Sequence, residues 1–307
     1  MFKAAKLMFI YTDGSVHPGA GDSTGVVDLP IQREVHTELP IIQGSEIKGA
    51  LREYFERKKG RDNNEIKQIF GTAPEKNDAG AGGAIGFSMA RIVLFPIASV
   101  KGVFAWVTCP MCLEVMKRDL TLINNVKLSD TGLDLIPTVP DSKTALTPED
   151  SQDLVVDNRI FLSEFPFKNE PNQNLKKIAK WLSGRLPEEY TYFQHKLFKE
   201  NDNKIQSNFV LISDNMFKEL LKIKTEIVHR NEIDKEKGTS KNLWTEENIP
   251  GDTLMYSMIY AADPYDQPQT KKTADDAAGF FEKENLKSFI LGGNQTVGRG
   301  WISVTFV

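Results

Sequence analysis

The sequence predicts an α+β fold built on an antiparallel sheet. Apolar runs suited to strands and amphipathic stretches suited to helices both occur, but without the regular strand–helix alternation of a parallel α/β protein. The second observation is length: 307 residues is about twice a loose domain unit of ~150, which gives two domains or one domain with large insertions. The third is composition, since 40% hydrophobic and 26% charged residues mark an ordinary globular chain with a sizeable core.

The elements follow in order. Residues 3–12 (KAAKLMFIYT) alternate loosely, as a strand does. Gly14, Pro18, Gly19, Gly21 and Gly25 then mark a long irregular stretch that ends at Val26-Val27-Asp28-Leu29-Pro30. The clearest helix runs from about Glu46 to Lys59. Its Ile47, Ala50, Leu51, Tyr54 and Phe55 share one face, with Ser45 placed to cap the start and Gly60 to end it. After Gly80–Gly83, residues 84–108 carry two strands broken around Pro96 to Gly102, and Met111–Leu120 suits a short helix with Pro110 in its first turn.

From Asn124 to about Gln206 the periodicity weakens, apart from a helical patch at Leu175, Ile178, Trp181 and Leu182, so this segment is expected as an insertion outside the core. Asn208–Ile212 is a strand, and Ser213-Asp214 can cap a helix through Met216, Leu220 and Leu221. Thr225–Asp234, a turn over Lys235–Ser240 containing Gly238, and Lys241–Glu247 form a hairpin too polar to be core, hence one that projects. Leu254–Tyr260 is a strand and Ala274–Glu284 a helix. Ser288–Val307 holds two apolar runs around the turn Gly292–Gly300.

Charge restricts the partners. With 38 basic against 42 acidic residues the net charge is -4, so an anionic partner requires a local concentration of cations. Lys48 to Arg61 supplies one, with Lys48, Arg52, Arg57, Lys58, Lys59 and Arg61 against Glu53 and Glu56. Lys48 in the first turn, beside the free N–H groups of Glu46 and Ile47, suits a phosphate; a solvated helix face is the plainer alternative. The turn with Gly292, Gly293, Gly298 and Gly300 around Arg299 lets backbone approach a phosphate chain, or is simply a tight turn. It matches neither dinucleotide nor P-loop spacing.

Asp28, set among apolar neighbours, can present one carboxylate to Mg²⁺ held against a substrate phosphate, or can cap a turn. His17 can carry a proton near neutral pH, or be an exposed loop histidine. Cys109 and Cys112 are the two cysteines. They give no disulfide framework and no second CxxC, and are expected as a buried thiol pair at a helix start in a reducing interior. Trp106, Trp181, Trp244 and Trp301 are expected to pack, with Trp244 as a candidate interaction residue in the hairpin. No run approaches the ~18 apolar residues of a membrane span, so a cytoplasmic location without membrane contact is expected.

Three blocks point further: Gly25-Val26-Val27-Asp28-Leu29-Pro30-Ile31-Gln32-Arg33-Glu34; Leu39-Pro40-Ile41-Ile42-Gln43-Gly44-Ser45-Glu46-Ile47-Lys48-Gly49-Ala50-Leu51-Arg52; and Gly292-Gly293-Asn294-Gln295-Thr296-Val297-Gly298-Arg299-Gly300-Trp301. Together with Leu243-Trp244-Thr245-Glu246-Glu247 they resemble the RAMP superfamily of CRISPR proteins, and within it the backbone subunits of the type III-B (Cmr) effector, which cut its target RNA. The resemblance covers the first hundred residues and the C-terminus, and is poor over 124–206. Met89 stands where family members often carry Asp.

The resemblance implies a ferredoxin-like (RRM-like) palm from 1–123 and 207–307, an insertion at 124–206 and a thumb hairpin at 225–250. It implies copies of this chain stacked as a filament on guide crRNA, with other Cmr-complex subunits and a complementary single-stranded target RNA. Ser45, Lys48, Arg52, Gly292, Gly293, Gly298 and Arg299 would hold guide phosphates. Asp28 would be required for cutting and would hold the divalent metal, Mg²⁺, with His17 and either Glu246 or Glu247 assisting. The implied activity is a metal-dependent endoribonuclease of the assembled complex: a target 2′-hydroxyl attacks the adjacent phosphate and leaves a 2′,3′-cyclic phosphate and a 5′-hydroxyl. A non-catalytic RNA scaffold keeps the basic helix and the Gly-rich turn without needing Asp28, and a guide-processing endonuclease would use a histidine-based site.

Overall fold

The first strand explains why its sequence alternates only loosely. In the computed structural model, which describes residues 2–72, 80–123, 126–201, 204–265 and 272–307, strand β1 (Ala4–Thr12) is buried on both faces from Leu7 onward. Met8 and Ile10 enter one hydrophobic cluster; Leu7, Phe9 and Tyr11 enter another on the opposite side of the sheet. A strand with no solvent face has no polar positions to alternate.

Helix α1 (Gly44–Lys59) lays Ile47, Leu51 and Phe55 on the first cluster, as the spacing predicts, and stops at Gly60 with φ of 93°. Its start differs from expectation. Gln43, not Ser45, is the N-cap, no side chain caps the end, and Ser45 lies inside the first turn. The helix begins early because Gly44 seats it directly on the short strand Ile85–Phe87, where a Cβ would lie 2.3 Å from the Phe87 carbonyl oxygen. Phe55 packs its ring, tilted by 60°, 4.9 Å from that of Phe280. Truncating this fully buried ring to alanine costs about 3–5 kcal/mol.

Strands β2 (Ala90–Ser99) and β3 (Val103–Thr108) and helix α2 (Pro110–Leu120) follow the expected order. Cys109 occupies the N-cap of α2, and the two free, buried thiols lie 3.5 Å apart, as a packed pair should.

The segment expected outside the core contributes to it. Strands β4 (Thr144–Pro148), β5 (Arg159–Leu162) and β6 (Phe165–Asn172) bury Leu146, Ile160, Leu162 and Phe167, and helix α3 (Gln173–Ser183) buries Leu175, Ile178, Ala179 and Leu182. Strands of 4 to 8 residues separated by polar turns show too little of their period to be recognised. Its first boundary, at 124, lies outside the described residues.

The chain continues through β7 (Phe209–Leu211), α4 (Asp214–Ile223), the hairpin β8 (Glu226–Ile233) and β9 (Ser240–Asn248), β10 (Leu254–Ala261), β11 (Ser288–Ile290) and β12 (Trp301–Phe306). The expected helix at 274–284 is split at Gly279 into Ala274–Ala278 and Phe280–Lys283. The main sheet runs β11-β12-β1-β10-β2-β3-β7-β4-β6-β5, mixed α+β overall and antiparallel except where β7 meets β3 and β6 meets β4. Trp106 is fully buried, but Trp301 is 52% exposed and does not pack as expected.

The hairpin forms its own two-stranded sheet. It is exposed over most of its length, with Gly238 at φ of 63° in its turn, yet Glu246, Glu247 and Asn248 at its base are buried. Two carboxylates buried at the foot of a solvent-exposed ribbon must each have partners, and those partners define the candidate site.

Candidate functional site

The base of β9 acts as a template for two loops. On one side Leu29 N–H donates to the Thr245 carbonyl (3.0 Å) and Glu247 N–H to the Leu29 carbonyl (3.0 Å), so residues 28–31 run alongside the strand. On the other, Val16 and Ile249 exchange backbone hydrogen bonds of 2.9 and 2.8 Å, which brings His17 to the same strand. Successive side chains of a strand point to opposite faces, so Thr245 and Glu247 face one way and Trp244 and Glu246 the other.

Asp28 is exposed, and its carboxylate is nevertheless fixed. Oδ2 accepts from the Thr245 N–H (2.7 Å) and the Thr245 hydroxyl (2.8 Å), while the Asp28 N–H donates to that same hydroxyl (2.9 Å). These bonds, the backbone one foremost, hold its carboxyl below the usual carboxylate range. Asp28 therefore presents a permanent negative charge to solvent at the foot of the hairpin.

His17 is buried rather than an exposed loop residue. Its Nδ1 lies 2.7 Å from the Glu247 carbonyl oxygen, which only accepts, so Nδ1 carries the proton and Nε2 of the neutral ring keeps the lone pair. Gly292 fits over the His17 backbone because it has no side chain: its φ is 89° and a Cβ would lie 2.9 Å from the His17 carbonyl oxygen. Gly293 N–H donates to that carbonyl at 3.2 Å.

The two glutamates divide their work. Glu247 receives Arg33 (2.5 Å) and the Thr225 hydroxyl (2.7 Å) on Oε1 and the Ile31 N–H (3.1 Å) on Oε2, and so clamps the 31–33 loop. Glu246, only 1% exposed, pairs with Arg230 Nε (3.0 Å) and accepts from Asn294 Nδ2 (2.7 Å), and so clamps the Gly-rich turn. Neither carboxylate is a free base. Arg299 pairs with Glu226 at 3.0 Å, a second tie between that turn and the hairpin. Gly298 adopts a φ of 85°, in the left-handed region that glycine favours.

The structure thus brings Asp28, His17, Glu246, Glu247 and the Gly292–Arg299 turn together on β9. Ser45, Lys48 and Arg52 lie apart on α1 and form no hydrogen bond or ion pair with that group among the described residues. Ser45 is exposed. Lys48 donates to the Ile85 carbonyl (3.0 Å), and burial pushes its ammonium below its ordinary value. Arg52 bonds Glu56 at 2.7 Å, Arg57 bonds Glu53 at 2.5 Å, and Lys59 lies between Glu65 and Glu284. The basic excess counted along the helix is therefore partly neutralised by carboxylates from elsewhere in the chain.

Contributors that carried no assignment in the sequence include Thr245, Arg33, Asn294 and Arg230. The first three sit inside the quoted blocks, where a polar residue beside a proposed ligand was the available signal. Arg230 meets Glu246 only through hairpin register, which places it opposite Trp244.

For a metal, the donor set is thin. Among the described residues no group of three or more His, Cys, Asp or Glu can hold an ion. Asp28 alone fits a hard cation that draws its other ligands from water and phosphate, not a closed protein cage. No helix among the described residues is long and apolar enough to cross a membrane.

Comparison with known proteins places the chain in a family. A family model described as the RAMP superfamily matches residues 9–303. The CRISPR system Cmr endoribonuclease Cmr4 of Pyrococcus furiosus is 38% identical over 303 residues, covering 98% of this chain and 95% of that one. The crystal structure of oligomeric Cmr4 from Pyrococcus furiosus matches with a TM-score of 0.70 at 32% identity, over 99% of this chain and 98% of that one. A chain of the type III-B Cmr-beta complex bound to cognate target RNA matches with a TM-score of 0.72 over 99% and 98% of the two chains; at 20% identity this likeness bears on the fold alone.

Proposed function

The chain belongs to the RAMP superfamily, and from that premise we propose that it is a backbone subunit of a type III-B CRISPR effector that also cuts the target RNA. In this reading the main sheet and α1 form an RRM-like palm and the β8–β9 hairpin is the thumb. Copies stack along guide crRNA with other Cmr-complex subunits in the cytoplasm. The observation that carries the cleavage reading is Asp28, an ionised, immobilised and exposed carboxylate at the foot of the thumb. The 38% identity to a Cmr endoribonuclease over nearly the whole chain supports it.

Cutting proceeds by attack of a target 2′-oxygen on the adjacent phosphorus as the bond to the 5′-oxygen breaks. The 2′-proton leaves with the attack and the 5′-oxygen gains one. Wedging by the thumb extrudes a base and aligns the 2′-oxygen with the leaving oxygen, a gain in proximity and orientation. His17, with its Nδ1 proton committed to Glu247, offers Nε2 to receive a proton. Glu246 and Glu247 act as clamps that hold the two loops in register. Mg²⁺, held by Asp28 together with water and substrate phosphate, would supply charge neutralisation at the phosphate.

Lys48 and the Gly-rich turn contact guide phosphates in this reading, with Glu226 competing for Arg299. The test is the complex reconstituted with guide, Mg²⁺ and complementary RNA. Fragments at regular spacing, ending in 2′,3′-cyclic phosphate and 5′-hydroxyl, are expected. Tight target binding without cutting would overturn the enzyme reading in favour of a scaffold.

A further inference from the structure

We propose that Thr245 is a positioning residue of the cleavage site, whose hydroxyl fixes the Asp28 carboxylate in its working orientation. This rests on the reading of Asp28 as catalytic and adds a residue to it.

The geometry around the hydroxyl is closed. Its oxygen accepts the Asp28 N–H at 2.9 Å, and its single proton goes to Asp28 Oδ2 at 2.8 Å. The Thr245 N–H reaches the same Oδ2 at 2.7 Å. One residue thus binds both ends of Asp28, its backbone donor and its carboxylate. Among the described residues no side chain other than Thr245 bonds that carboxylate, and Asp28 is exposed, with Val26 nearby in sequence 99% exposed. Without Thr245, an aspartate in this position would sample its rotamers freely.

Thr245 itself does not move freely. It is flanked on β9 by Trp244 and by Glu246, which is tied to Arg230 and Asn294, and its carbonyl is held by Leu29. The β-branch restricts its χ1, so the hydroxyl is delivered in one direction. The arrangement also keeps Oδ1 clear of Thr245, leaving one carboxylate oxygen for substrate or a hydrated cation. Because the thumb strand carries this hydroxyl, displacement of β9 by a bound duplex would move the Asp28 carboxylate with it.

The test uses the assembled complex with guide and complementary RNA, in single-turnover cleavage with target affinity measured alongside. Thr245→Val keeps the shape and removes the hydroxyl; cleavage is expected to slow about 10- to 100-fold with target affinity unchanged. Thr245→Ser, which keeps the hydroxyl, is expected to restore most of the rate. In an Asp28→Asn background Thr245→Val is expected to add no further loss, since the hydroxyl acts through the carboxylate. Wild-type cleavage by Thr245→Val, or an equal loss in both backgrounds, overturns the positioning role while leaving Asp28 as the catalytic group. Wild-type cleavage by Asp28→Asn alone would instead remove the functional reading beneath it. Should Thr245→Val fail to assemble, Thr245→Ala against Thr245→Ser carries the same comparison.

Discussion

Glu247→Ala should unfold the base of the hairpin, and the size of the effect follows from its partners. The mutation removes the acceptor of Arg33, of the Thr225 hydroxyl and of the buried Ile31 N–H. Stranding one member of a buried ion pair costs about 3–5 kcal/mol. Arg33 keeps its bond to the Glu38 carbonyl at 2.9 Å and its side chain is 24% exposed, which puts its share near the lower end of that range. The orphaned Ile31 N–H adds about 1–3 kcal/mol, and these terms overlap because they share one carboxylate. A net loss of about 4–5 kcal/mol, at ~2–4 °C per kcal/mol, lowers the melting temperature by about 8–20 °C. Glu247→Gln keeps one acceptor oxygen, enough for Thr225 and Arg33, but sets an NH₂ against the Ile31 N–H and removes the charge, so it should lose part of that stability and less than Glu247→Ala. Calorimetric unfolding of the purified chain is the assay. A shift below about 2 °C for Glu247→Ala would refute the clamp assignment, because a solvated surface carboxylate behaves that way.

Two further outcomes follow from the same geometry. Lys48→Glu should weaken guide binding and lower the slope of log affinity against log salt by about one, as loss of a phosphate contact does, in a titration of guide RNA across salt concentrations; an unchanged slope removes α1 from the guide path. Glu46, half-buried in the first turn of α1, has its carboxyl pushed up to about 7 by burial from an ordinary 4.5. Its folded-state preference for the neutral form is fully present below pH 4.5 and is lost as pH rises through 7. Glu46→Gln should therefore leave stability unchanged near pH 4 and raise it by about 1–2 kcal/mol at pH 8, after discounting for partial exposure, as read from melting temperature against pH.

What the sequence disclosed depended on range. The buried face of α1 was legible because Ile47, Leu51 and Phe55 repeat within one helix, and the polar hairpin because its turn and strands are contiguous. The true helix start was not, since what sets it is the contact of Gly44 with Phe87, 43 residues away. The strands of 144–172 escaped notice because each is too short to display a period. The same limit governed the site. Asp28 stood out as a lone acid among apolar residues, but its partner Thr245 lies 217 positions on, and no local pattern links them. The charge of α1 was overcounted for a related reason: Glu284, which bonds Lys59, is 225 positions away. The choice between Glu246 and Glu247 could not be made from two adjacent acids in a strand. Their opposite faces give each a distinct clamp.

The proposed cleavage function rests on Asp28, so the rate of target cleavage by the complex assembled with Asp28→Asn is the most direct measurement. The replacement keeps an acceptor for Thr245 and removes the charge. Single-turnover cutting of complementary RNA should fall by at least about a hundredfold while guide occupancy and target affinity stay at wild-type levels. Cutting at the wild-type rate by that complex would contradict the account, whatever the state of the other residues around the hairpin base.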